Sequence, residues 1–175
     1  MKPSFSFLTA AAVLSPLVAA NFDIYYQSPI SSIGGGDYWQ AVDDQSSTDN
    51  CQKMTGTRTF EQKPDVSGKK DGFRCKGKGC HFNGDVNDIE ELEMNFGTKR
   101  KGNDVYHFTI RQWFREDNKW WMVGLDNKVY GWCSPWTEKS YECLATKGKQ
   151  KFMCNIEGLS ALDITKDIEG QGWFD

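Results

Sequence analysis

"VYHFTIRQWFREDNKWWMVGLDNKVYGWC" runs from Val105 to Cys133. Apolar and polar residues alternate along its short runs, a period of two that belongs to half-buried strands rather than to helices. Asp117-Asn118 and Asp126-Asn127 stand where two-residue hairpin turns would fall, because Asn and Asp tolerate the left-handed angles such turns need. Just upstream, "ELEMNF" (Glu91 to Phe96) alternates Leu92, Met94 and Phe96 with Glu91, Glu93 and Asn95. Together these segments read as a four-stranded antiparallel meander.

Antiparallel partners keep a constant sum of positions, so a turn at Asp117-Asn118 sets Trp113 opposite Met122, Phe114 opposite Trp121 and Ile110 opposite Leu125. One face then gathers Phe108, Ile110, Phe114, Trp121, Val123 and Leu125. The second turn adds Tyr130, opposite Val123, and Trp132, opposite Trp121. This face is the expected core, where each buried side chain contributes about 1.5 to 3 kcal/mol. The other face carries His107, Thr109, Arg111, Trp113, Trp120 and Met122 beside Gly124 and Gly131, with Val129 and Cys133. The candidate binding residues are therefore Trp113, Trp120, Arg111, His107 and Met122, a platform suited to stack a sugar ring or nucleobase, or to receive a partner protein's anchor. The competing reading is a second packed layer. A one-residue shift of register exchanges the two faces.

Working outward, "NFDIYY" (Asn21 to Tyr26) and "YWQAV" (Tyr38 to Val42) read as strands around a mobile loop containing Gly34, Gly35 and Gly36. The polar, Gly-rich stretch from Asp43 to Asn83 reads as irregular structure held by cysteines. "YECLAT" and "KFMCNI" offer two later strands, and "SALDITKDIEG" a short helix capped by Ser160. The fold expected is mainly β: an antiparallel meander closed into a disulfide-braced barrel or sandwich, with at most a short helix.

Residues 1–20 read as a secretory signal: Lys2, an apolar run from Phe5 to Leu14, and a small-residue cleavage site at Val18-Ala19-Ala20. Of the 175 residues, 155 follow that cut, enough for one domain, 21–175. The apolar run is too short for a membrane span and nothing later resembles it. In a secreted, extracellular product, Cys51, Cys75, Cys80, Cys133, Cys143 and Cys154 serve as structural cysteines in up to three disulfides, with about 15 pairings open.

Removal of Lys2 leaves 20 Lys and Arg against 24 Asp and Glu, which argues against nucleic acid as the partner. Basic residues nonetheless cluster at Lys69 to Lys78, Lys99 to Lys101 and Lys147 to Lys151, as solvated turns or, if they meet, as a polyanion patch.

No complete catalytic signature is present. G-x-S-x-G is missing, and only His81 and His107 supply imidazole; His107 with Glu93 or Arg111 would be the pair for a ribonuclease-like hydrolase. "CKGKGCH" lacks the second ligand pair of a zinc finger. "NGDVNDIEELEM" has Asp88 where a calcium loop needs Gly and Met94 where it needs Glu. No N-x-S/T triplet occurs, and no cofactor or metal is implied.

The blocks "FDIY", "VSGKKDGFRCKGKGC", "LEMNF", "YHFTI", "WMVGLDNKVYGWC" and "KFMC" are similar to those of an uncharacterised family of small cysteine-containing secreted proteins from filamentous fungi. The resemblance implies export and a candidate effector role in fungal virulence, or in eliciting host defence, and carries over no catalytic residue. The expected function is noncatalytic binding of a host or microbial protein, with attachment to cell-wall polysaccharide and a small secreted hydrolase as alternatives.

Overall fold

In a computed structural model, the described residues are 19–30, 36–43, 48–49, 51–99, 105–112 and 118–166. Among them ten strands form one sheet: β1 (Ala19–Pro29), β2 (Tyr38–Asp43), β3 (Phe60–Glu61), β4 (Gly72–Gly77), β5 (Ile89–Lys99), β6 (Val105–Arg111), β7 (Trp120–Gly124), β8 (Val129–Pro135), β9 (Ser140–Cys143) and β10 (Thr146–Glu157). Their order is β3-β2-β1-β10-β8-β7-β6-β5-β4, with β9 beside the first part of β10. The outermost strands meet through a parallel bridge between Gln62 and Phe73, and Lys63 N–H donates to Phe73 O at 2.8 Å. The sheet is thus a nearly closed antiparallel barrel.

The expected meander is present as β5 to β8. The stretch expected to be irregular instead supplies a helix, α1 (Cys51–Gly56), and both seam strands, β3 and β4. Among the described residues two short helices occur, not one. The second, α2 (Ala161–Thr165), starts at Ser160, whose Oγ accepts from Asp163 N–H while Asp163 answers to Ser160 N–H. Asp85, in the calcium-like run, caps the 3-10 turn Val86–Asp88. Residues 31–35 of the Gly-rich loop lie outside the described residues, as do Arg100 and Lys101.

The three disulfides are Cys51–Cys143, Cys75–Cys80 and Cys133–Cys154. Inside the barrel pack Phe22, Ile24, Tyr26, Trp39, Phe60, Phe73, Leu92, Met94, Phe96, Phe108, Ile110, Phe152 and Ile156. Outside it, α1 lays Met54 on Tyr25, Val42 and Tyr141, tied down by Cys51–Cys143. Ala161 and Ile164 of α2 close one end of the barrel, where Ala161 N–H donates to Asp43 Oδ1 at 3.1 Å.

The loop from Gly79 to Asp88 closes the other end. Gly79 and Gly84 let it fold on itself: a Cβ on Gly84 would stand 2.4 Å from Gly79 O. Lys151 pins the loop down. It is the extra residue of a bulge, since Ile24 pairs with Phe152 and Tyr25 with Gln150. Its ammonium donates to His81 O (3.0 Å), Phe82 O (3.3 Å) and Gly84 O (2.6 Å).

Lys151 is fully buried, and desolvation, reinforced by Lys149 and opposed by Asp85, draws its pKa from 10.5 down to about 8. The folded protein sheds this proton over a window, about pH 8 to 10.5, in which the unfolded chain keeps it, so stability rises with pH there. Tyr141, raised by burial to about 12, and Tyr26, also raised by burial, hold protons that the unfolded chain loses from about pH 10, so the gain then reverses. Thermal midpoints should therefore peak near about pH 9 to 10. The rising limb should be missing in Lys151→Met; a flat profile in the parent protein would contradict the buried ammonium.

Candidate binding face

The register between β6 and β7 differs from expectation and inverts the faces. Phe108 pairs with Gly124, Ile110 with Met122 and Arg111 with Trp121, a shift of three residues from the two-residue turn. Asn118 does adopt the left-handed conformation (φ 51°), but the connection from Gln112 to Lys119 is longer than a tight turn. An odd shift sends every β7 side chain to the other side.

Trp120 and Met122 are consequently core residues, 2% and 0% exposed, and Trp120 packs edge-on against Phe152 at 5.1 Å. Neither belongs to a surface platform. Gly131 faces inward opposite Met122, and its lack of a side chain lets β10 approach: a Cβ there would lie 2.0 Å from Asn155 O. The strip around Gly124 is filled by Tyr130. Leu125, expected inside, is exposed. Trp113 and Phe114 lie outside the described residues.

The outward pair is Trp121 and Trp132. They sit at directly paired positions on β7 and β8, as the Asp126-Asn127 turn implied, although a bulge sets Val129 rather than Tyr130 opposite Val123. Paired residues share a face, so register extends the row across seven strands: Lys76, Glu91, Arg111, Trp121, Trp132, Asn155 and Asn21. Its flanks at Lys76, Arg111 and Asn21 are exposed, whereas Trp121 and Trp132 are half-buried. Lys119 Nζ lies 6.0 Å from the Trp121 ring and 5.1 Å from the Trp132 ring, so both faces carry a cation. Trp121 Nε1 is enclosed without an acceptor. Asn155 Nδ2 donates to Asn21 Oδ1 at 2.8 Å.

Beside this row lies the one expected acid–base pair. His107 Nε2 is 2.8 Å from Glu93 Oε1, Arg74 Nε donates to Glu93 Oε2 at 2.5 Å, and Arg74 Nη2 donates to Glu91 Oε1 at 2.7 Å. The bond to Glu93 holds the Arg74 guanidinium firmly protonated. Both Glu93 oxygens are engaged, and His107 is only 2% exposed, with Nδ1 enclosed and unpartnered. Its strand partner Asn95 is fully buried, donating to Val66 O and Gly68 O of the segment folded over this end. A general base needs a reachable lone pair. This cluster instead ties β4, β5 and β6 together through hydrogen bonds to Glu91 and Glu93.

No known protein family, curated protein or solved structure matches the chain. The site is therefore read from its own geometry. Of the residues expected at the site, Arg111 stands at the aromatic row, His107 is enclosed beside it, and Trp120 and Met122 are inside the barrel. Trp121, Trp132, Lys119 and Asn155 take the places that Trp120 and Met122 were expected to fill.

Proposed function

We propose that this is a secreted, noncatalytic binding protein of effector type, which engages a host or microbial target through the outer face of β6, β7 and β8. The observation that carries the reading is the outward pairing of Trp121 and Trp132 between Arg111 and Asn155. Two indoles at paired positions offer contact area with little rotamer entropy to lose, and flanking polar groups supply orientation. The disulfides agree with an extracellular setting, and the resemblance of the sequence blocks to secreted fungal proteins supplies the biological one.

An extended cell-wall polysaccharide fits this face best. The full row curves round the barrel, so its middle, from Arg111 to Asn155, is what faces one ligand, and one strand spacing of about 4.8 Å is close to the length of a pyranose unit. Neighbouring indoles can then stack neighbouring sugars, with Lys119 displaced from the rings.

The test is co-sedimentation of the oxidised protein with chitin, β-glucan and cellulose. Trp121→Ala and Trp132→Ala should each weaken binding by an order of magnitude or more, with folding of each variant confirmed separately because both rings are half-buried. Retention of none of the three polymers by the parent protein would overturn the polysaccharide target. Cross-linking in host extracts that is insensitive to both substitutions would then overturn the face itself.

A further inference from the structure

At the loop-covered end of the barrel a pocket of about 370 Å³ opens between the Gly79 to Asp88 loop and the β9–β10 hairpin. Phe82 and Asn83 line it from the loop, Thr137, Ser140 and Glu142 from β9 and its approach, and Lys147 and Lys149 from β10. The bulge at Lys151 makes this arrangement possible. Without an extra residue, Gln150 and Gly148 would continue the inward series of Ile156, Cys154 and Phe152; with it, Lys151, Lys149 and Lys147 take that side. Gln150 and Gly148 turn outward, where Gly148 lies flat under the Tyr141 ring, 2.0 Å from where its Cβ would be.

The charges here are unbalanced. Lys151 is held by three carbonyls, and Lys147 stands opposite Glu142 in the ladder without an ion pair between them. Lys147 Nζ lies 4.8 Å from the centre of the Phe82 ring. Neither Lys147 nor Lys149 has a carboxylate partner among the described residues, in contrast to Lys63, Lys70, Arg74 and Lys139. Two uncompensated ammonium groups, with a third beneath them, form a pocket that attracts an anion.

The remaining lining narrows the ligand. Ser140, Thr137 and Asn83 offer neutral hydroxyl and amide groups, and Phe82 an apolar edge. Glu142 repels a multiply charged phosphate but accepts hydrogen bonds from hydroxyls. We infer that this pocket binds an acidic sugar, its carboxylate between Lys147 and Lys149 and its hydroxyls toward Ser140, Asn83 and Glu142. The site is separate from the aromatic row, and neither requires the other.

Calorimetric titration of the full oxidised protein with trigalacturonate tests this, with methyl-esterified trigalacturonate and inorganic phosphate as comparisons. The acid form should bind saturably, weaken with added salt, and lose at least tenfold in affinity in Lys147→Gln/Lys149→Gln. Trp132→Ala should leave it unchanged, which separates this site from the proposed face. Both lysines are partly solvent-exposed, so the thermal midpoint of the double variant should stay near that of the parent. Absence of binding, equal binding of the ester, or full affinity in the double variant would overturn the site. Tighter binding of inorganic phosphate than of the uronate would overturn the sugar and reassign the pocket to phosphate groups.

Discussion

Phe73→Ala is expected to cost about 3 to 5 kcal/mol of unfolding free energy, read from the denaturant midpoint. Phe73 is fully buried on β4, where the barrel closes on itself. Its ring stacks on Trp39 at 5.5 Å and 4°, and meets Phe60 and Phe96 at 5.7 Å. Its backbone forms the seam, through the bridge to Gln62 and the bond from Lys63 N–H. β3 has only two residues and cannot hold that seam by ladder hydrogen bonds alone. The ring cluster must supply what the ladder lacks, and alanine would leave a void that three rigid aromatic neighbours cannot fill by small shifts. Leu144→Ala is the contrasting substitution. Leu144 is 101% exposed, and its change should stay within about 0.5 kcal/mol. A loss below about 1 kcal/mol for Phe73→Ala would mean that the seam does not depend on these rings.

The three disulfides should differ in worth, in the order of the loops they close. Cys51–Cys143 spans 92 positions, Cys133–Cys154 spans 21 and Cys75–Cys80 spans 5. Chain-entropy arguments assign these about 4.6, 3.3 and 2 kcal/mol respectively. Paired Cys→Ala variants, unfolded in denaturant under oxidising conditions, should rank accordingly. Cys51–Cys143 also has a local task, because α1 is a helix of six residues with only Met54 buried. Without the bridge it retains the bonds from Gln40 Nε2 to Met54 O (3.0 Å) and Thr57 O (3.2 Å). Release of α1 should accordingly precede global unfolding in that variant, seen as early loss of amide protection over residues 51–57. If the Cys75–Cys80 variant were the least stable of the three, the loop-entropy ranking would be wrong.

Strands with one polar side were open to reading from sequence. Leu92, Met94 and Phe96 alternate with the polar residues Glu91, Glu93 and Asn95, and each is fully buried on β5. Ser160 likewise marked the start of α2. The parity of β7 was not legible, and the reason is local. Trp120 with Met122 and Trp121 with Val123 are nearly interchangeable sets, one indole and one aliphatic residue each, so β7 alone gives the core no preference. Residues far along the chain decide it: Phe152 receives the Trp120 ring, and Gly131 leaves space beside Met122 for β10. Once Trp120 turns inward, Trp121 and Trp132 must turn outward together. Arg111, common to the expected platform and the observed row, kept its face because β6 was assigned the right parity. β3 and β4 escaped notice because one is two residues long and the other, "GFRCKG", carries only Phe73 as a large apolar side chain.

The pairing of β1 with β10 has a consequence for how the protein is made. Asn21 and Asn155 are neighbours in the finished sheet but 134 positions apart in the chain. The first strand to emerge therefore waits for the last, and the inner face of β1, with Phe22, Ile24 and Tyr26, stays without its cover until β10 follows. Such long-range closure folds slowly. The barrel cannot close before β10 has been synthesised, a delay that would suit the export proposed above.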